Sequence, residues 1–171
     1  MAFSKKKLKS RFEVGKDWEH RIAKRLQDAG FPAVVPTEGW IEGADVNQLT
    51  AEDQDVVVGE IVLEIKSRGG KTHYYGLEDF KFPTIIVDTV WGWKRKKIKP
   101  DYYLSVCQHT GGVIVIDGRD WETWSEEEFW DPYEQKRNLC FVADTATCHD
   151  WEWFLEDLAI QFRTRTGEEV E

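Results

Sequence analysis

Residues 55–66 read Asp-Val-Val-Val-Gly-Glu-Ile-Val-Leu-Glu-Ile-Lys, two short apolar runs on either side of Gly59-Glu60. An acid, Asp55, opens the first run, the Gly-Glu pair makes a turn, and the second run carries Glu64 and Lys66. This pattern predicts a hairpin of strands at about 55–58 and 61–67. Alternate residues of a strand share a face. Glu64 and Lys66 therefore point one way, and Ile61, Leu63 and Ile65 the other. Burying charge is expensive unless it is matched, so a charged pair in so apolar a strand needs a partner or a purpose. A divalent metal held by Asp55 and Glu64 would supply one.

An acid, any residue, then lysine also occurs at Asp79-Phe80-Lys81 and Glu134-Gln135-Lys136. Neither lies in an apolar strand pattern with an acid-tipped strand just before it. With that context, the hairpin resembles the PD-(D/E)xK nuclease superfamily, whose restriction-endonuclease-like core runs helix, three-stranded meander, helix, strand. Matching pieces occur in that order over about residues 10–117. The motif's leading proline is replaced by Gln54, at a position that varies within the superfamily. The resemblance implies an α/β fold with a mixed central sheet flanked by helices in αβββαβ order.

Phosphodiester hydrolysis needs an activated water, stabilisation of the charge that develops at phosphorus, and help for the leaving oxygen. One or two Mg²⁺ ions serve all three needs. Mg²⁺ takes hard oxygen ligands and keeps several waters, so two carboxylates and a main-chain carbonyl suffice. Asp55 and Glu64 are the candidate carboxylates and Ile65 supplies the carbonyl, with Mn²⁺ as a substitute ion. Lys66 would stand beside the attacking water, either lowering its pKa or steadying the phosphate by charge. Asp53 competes with Asp55, which is preferred because it abuts the valines. The alternative for Glu64 and Lys66 is a surface salt bridge on a solvated edge strand.

Ser10-Arg11-Phe12-Glu13 reads as a capping box. Val14, Trp18, Ile22 and Leu26 recur every fourth residue, predicting an amphipathic helix over about 12–29. Glu19 borders its apolar stripe, where the resemblance places an acid that joins the site and could hold a second ion; otherwise it is a surface helix acid. A short strand is predicted at 31–35 and a polar loop at 36–53. Residues 73–82 read as a short helix or loop. Further strands are predicted at 84–88, 102–107, 113–117 and 139–143, and a C-terminal helix at 150–163 with a frayed tail.

The 171 residues suggest one domain, with a basic N-terminal arm (1–11) and an acidic C-terminal extension (about 118–171). The formal charge of −9 is uneven: residues 1–100 hold 18 Lys+Arg against 15 Asp+Glu, and residues 101–171 hold 5 against 17. The half with the candidate site is thus mildly basic, and local potential governs binding to a polyanion. Lys94, Arg95, Lys96, Lys97 and Lys99, interleaved with Trp91 and Trp93, are candidates for gripping phosphates, as are Arg68 and Lys71 beside the motif. The alternative is a solvated charge run with core tryptophans. Lys5, Lys6, Lys7 and Lys9 are equally ambiguous. Cys107, Cys140 and Cys148 lack zinc-ligand spacing and suit free thiols in a reducing cytoplasm. No apolar run reaches the length of a membrane span. Gly69-Gly70-Lys71-Thr72 lacks the full phosphate-loop spacing.

The expectation is a Mg²⁺-dependent DNA endonuclease, with RNA left open. Its small size favours structure-selective cutting, as by a Holliday-junction or other branched-DNA resolvase, or a small nuclease of a phage or mobile element. Two cuts need two sites, which would make a homodimer. The rivals are a non-catalytic nucleic-acid-binding module on the same fold, and a protein-binding role for the tryptophan-rich acidic half.

Overall fold

The computed structural model of the chain describes residues 5–36, 54–132 and 134–167. Helix α1 (Lys5–Asp28) leads into β1 (Ala33–Val34), β2 (Val56–Val58) and β3 (Ile61–Arg68). β4 (Thr84–Thr89) and the short helix α2 (Val90–Arg95) precede β5 (Tyr102–Cys107) and β6 (Val113–Asp117). A 3₁₀ turn (Gly118–Thr123), β7 (Ser125–Asp131), β8 (Lys136–Asp144) and helix α3 (Trp151–Thr166) complete the order.

The first sheet has the order β1-β2-β3-β5-β6 and is mixed: β3 and β5 run parallel and the other pairs antiparallel. A second, antiparallel sheet has the order β4-β8-β7. Alternation in β3 and β5 sends residues to two separate cores. Ile61, Leu63, Ile65, Tyr102 and Leu104 pack with Trp18, Ile22 and Leu26 of α1 and with Phe154, Leu158 and Phe162 of α3. On the other face Tyr103, Cys107, Ile114 and Ile116 pack with Ile85, Val87, Phe141 and Ala143 of the second sheet. The resulting layers are helices, mixed sheet, second sheet. Helices were expected to flank the central sheet, and the strand expected at 84–88 forms but joins the second sheet, so the connection from β3 to β5 crosses between sheets. It carries β4 and only the six-residue α2.

Several local expectations hold and others shift. The hairpin turns at Gly59, whose φ of 60° is the left-handed value that two-residue loops require. β5 and β6 fall at the predicted residues. Helix α1 starts at Lys5, so Ser10 lies inside it and caps nothing, and the arm from residue 5 is helical. Lysine, leucine and arginine are good helix formers, which explains the extension. Val14 is exposed rather than part of the buried stripe. No helix forms at 73–82. β7 was not foreseen. Helix α3 runs to Thr166 and closes on Gly167, at φ 73°. Residues 118–166 are not an appendage, because β8 and α3 each complete one of the two cores. The predicted loop at 37–53, Asp53 within it and the side chains of Lys5, Lys6 and Lys7 lie outside what is described. Among the described residues, no helix is long and apolar enough to cross a membrane.

Candidate active site

β2 is only three residues long and pairs with β3 at Val56↔Leu63, Val57↔Val62 and Val58↔Ile61. From Glu64 to Arg68, β3 runs on past the end of β2, and among the described residues no strand pairs with its edge on that side. The Ile65 N–H on this edge donates to Asp55 Oδ2 at 2.7 Å. The N–H and C=O of one strand residue leave the same edge, so the Ile65 carbonyl opens beside Asp55. Asp55 thus replaces the next β2 residue as partner of β3, which fixes its carboxylate by backbone geometry.

Glu19 reaches the same place from α1. It is buried, hydrogen-bonded to the Asp55 side chain, and ion-paired through Oε2 with Lys16 Nζ at 2.9 Å. Burial, then the neighbouring charges of Glu64 and Glu19, push the Asp55 carboxyl well above the usual carboxylate range. Three acids from α1, the start of β2 and β3 are therefore close enough to feel one another.

On the second-sheet side of β3, two acids and two lysines close a ring. Lys66 Nζ lies 3.1 Å from Glu64 Oε1 and 3.2 Å from Asp88 Oδ1. Lys96 Nζ lies 3.4 Å from Glu64 Oε1 and 3.1 Å from Asp88 Oδ2. Asp88, from β4, also accepts hydrogen bonds from Thr89 N–H at 2.9 Å and the Tyr103 hydroxyl at 3.0 Å. Burial alone would raise the Asp88 carboxyl, but Lys66 and Lys96 outweigh it and hold it at about 2. Burial would likewise lower the Lys66 amine; Asp88, Glu64 and Asp55 prevail and hold it above its ordinary value as an ammonium. The Tyr103 hydroxyl is pushed up by burial and by Asp88 and Glu64, so it stays protonated and donates.

Lys66 and Arg68 open onto a cleft of ≈ 620 Å³. Its walls are the N-terminal half of α1 (Ser10, Arg11, Val14), the end of β3, and the β7–β8 hairpin (Phe129, Trp130, Asp131, Asn138). Trp130 is exposed. The acidic C-terminal half therefore supplies one wall of the cleft.

The structure brings Glu19, Asp55, Glu64 and Lys66 together, and the surface-salt-bridge alternative fails because Glu64 is buried on a central strand. Arg68 is half-buried and donates to the Ile86 carbonyl at 3.1 Å. Lys71, Lys94 and Lys97 are exposed, and Arg95 stacks on the Trp91 ring. Two residues of the basic run depart from the expected role. Lys96 is buried in the ring just described. Lys99 donates to the carbonyls of Trp93, Lys94 and Lys96 and so caps the C-terminal end of α2. Trp93 packs against the second core, as the charge-run alternative has it, while Trp91 is exposed. Lys16, Asp88 and Tyr103 were not singled out in the sequence, and Lys96 was singled out only as a phosphate contact. Asp88 had a usable signal, because it tips the apolar run Thr84-Ile85-Ile86-Val87 as Asp55 tips its valines. The three cysteines are buried free thiols.

Among the described residues, no three His, Cys, Asp or Glu side chains stand in an arrangement that encloses a metal ion as placed. Two carboxylates and a carbonyl nevertheless fit a cation that keeps part of its water shell. No family model, curated protein or solved structure matches this chain.

Proposed function

We propose that the chain is a metal-dependent endonuclease of the PD-(D/E)xK type acting on DNA. What carries this reading is the meeting of Glu19, Asp55, Glu64 and Lys66, from three separate segments, beside the edge of β3 that runs on past β2. The mixed sheet with parallel β3 and β5 agrees with the restriction-endonuclease-like core, and the second sheet would be this chain's own addition to it.

The donor set suits Mg²⁺: hard oxygens only, from Asp55, Glu64 and the Ile65 carbonyl, with Glu19 behind Asp55. Asp55 is a carboxyl crowded by two other acids, the situation a bound cation relieves. When bound, the ion would activate water and stabilise charge on the transferring phosphoryl group. The Ile65 N–H and Glu19 aim the Asp55 carboxylate. Lys66 is held as an ammonium, which donates hydrogen bonds and accepts no proton. Its part would be to steady a phosphate oxygen or orient the water. Arg11 and Arg68 line the route by which a phosphate backbone would enter, and Trp130 offers a face for a base or sugar. Selective cutting of branched DNA and assembly as a homodimer belong to the same reading.

The test is cleavage of labelled duplex, single-stranded, flap and four-way-junction DNA, and of RNA, with Mg²⁺, Mn²⁺ or EDTA, alongside Glu64→Gln. Cleavage that needs metal and is lost in Glu64→Gln supports the nuclease. Binding without cleavage of any substrate would make the chain a non-catalytic nucleic-acid-binding module.

A further inference from the structure

We infer that the site is built for a single divalent cation, with the Lys96 ammonium standing between Glu64 and Asp88 where a second ion would sit. The inference rests on the nuclease reading and deepens it.

Lys96 follows α2 and is buried. A buried ammonium is tolerated only when well paired, and Lys96 is ion-paired with two acids of the cluster, Glu64 and Asp88. Two-ion sites hold their metals about 3.5–4 Å apart, so a second ion must lean on carboxylates next to the first. At Glu64 and Asp88 that place is taken by Lys96 Nζ, 3.4 and 3.1 Å away. Asp88 cannot turn to a metal without loss: Oδ1 serves Lys66 and the Thr89 N–H, and Oδ2 serves Lys96 and the Tyr103 hydroxyl. On the other flank, Glu19 Oε2 meets Lys16 Nζ at 2.9 Å as an ion pair rather than a hydrogen bond.

What remains for a cation is the middle of the cluster. Both lysines fall on Glu64 Oε1, which leaves Oε2 for another ligand, and the Glu64 carboxylate is close enough to Asp55 to raise its pKa.

The experiment counts Mn²⁺ bound to the full chain without DNA, by calorimetry and by the paramagnetic resonance signal of free Mn²⁺. We expect one ion per chain in the unsubstituted protein and in Lys96→Arg, and two in Lys96→Met. Two ions in the unsubstituted protein, or one in a folded Lys96→Met, overturn the inference. If circular dichroism shows Lys96→Met to be unfolded, Lys96→Gln is counted in its place; if that too is unfolded, the count for the unsubstituted protein decides, one ion supporting the inference and two overturning it. No Mn²⁺ binding at all overturns the nuclease reading together with this one.

Discussion

Lys66 of β3 and Asp88 of β4 meet at 3.2 Å across the interface between the two sheets. The lysine of the motif is thus gripped by an acid from the other sheet, and the position of its ammonium depends on how the sheets pack. The Tyr103 hydroxyl and the Thr89 N–H fix Asp88 in turn, so the grip is anchored in β5 and at the start of α2.

Replacing Asp88 by Asn should cost stability in a pH-dependent way. The Asp88 carboxyl is held at about 2, below its ordinary 3.8. A depressed carboxyl contributes stability that is fully present above its ordinary pKa and is lost as pH falls toward the folded-state value. Linkage puts the contribution on the order of 2 kcal/mol near neutral pH. Urea unfolding of Asp88→Asn and the unsubstituted protein should show a gap of that order at pH 7, shrinking between about pH 4 and pH 2.5. A gap that does not change with pH would mean that the ion pairs carry none of it.

Asp55 has the opposite sign. Its carboxyl is raised, so the folded state binds the proton more tightly than the unfolded chain, and stability falls as pH climbs from the ordinary value through the raised one. Asp55→Asn removes that penalty and keeps a side-chain oxygen for the Ile65 N–H. Without metal at pH 7 the variant should melt higher than the unsubstituted protein; if Asp55 holds a metal as proposed, added Mg²⁺ or Mn²⁺ should raise the melting temperature of the unsubstituted protein but not of the variant. A variant that melts lower without metal would show that Asp55 is not strained by its neighbours.

The legible parts of this chain were those with a strong short-range period. The hairpin, its two faces and the meeting of Asp55, Glu64 and Lys66 follow from alternation over twelve residues, and β5 and β6 from continuous apolar runs. The second sheet was hidden for a physical reason. β7 begins Ser125-Glu126-Glu127-Glu128, all exposed, on an edge strand where charge discourages further pairing; no apolar pattern marks it. β4 pairs with β8 more than fifty residues away, a contact that local pattern cannot reveal. Lys96 was masked by its neighbours: in a run of five basic residues, nothing in the sequence says which one turns inward.

That run offers a test of which charges meet a polyanion. Lys94 is exposed, so Lys94→Ala should weaken DNA binding about equally for all sequences and reduce the slope of log K against log salt by about one. Lys99 spends its amine on three carbonyls at the end of α2. Lys99→Ala should therefore lower stability by about 1 kcal/mol and leave the salt slope nearly unchanged. Equal effects on the slope would mean that Lys99 leaves its cap to bind phosphate.

Cutting the chain after residue 118 should abolish folding. The loss would take β7 and β8, two of the three strands of the second sheet, and leave β4 without its hydrogen-bonded partner. It would also take Phe154, Leu158 and Phe162, which are buried against β3, β5 and α1; truncating a single buried phenylalanine to alanine costs about 3–5 kcal/mol, a large part of a domain's whole stability. Circular dichroism and proteolysis of residues 1–118 should report a largely unfolded chain, and Phe154→Ala in the full chain should lower the urea midpoint markedly without changing Mn²⁺ stoichiometry. A folded, metal-binding fragment would instead make the acidic half a separable module, and would favour for it the protein-binding role that its tryptophans suggested.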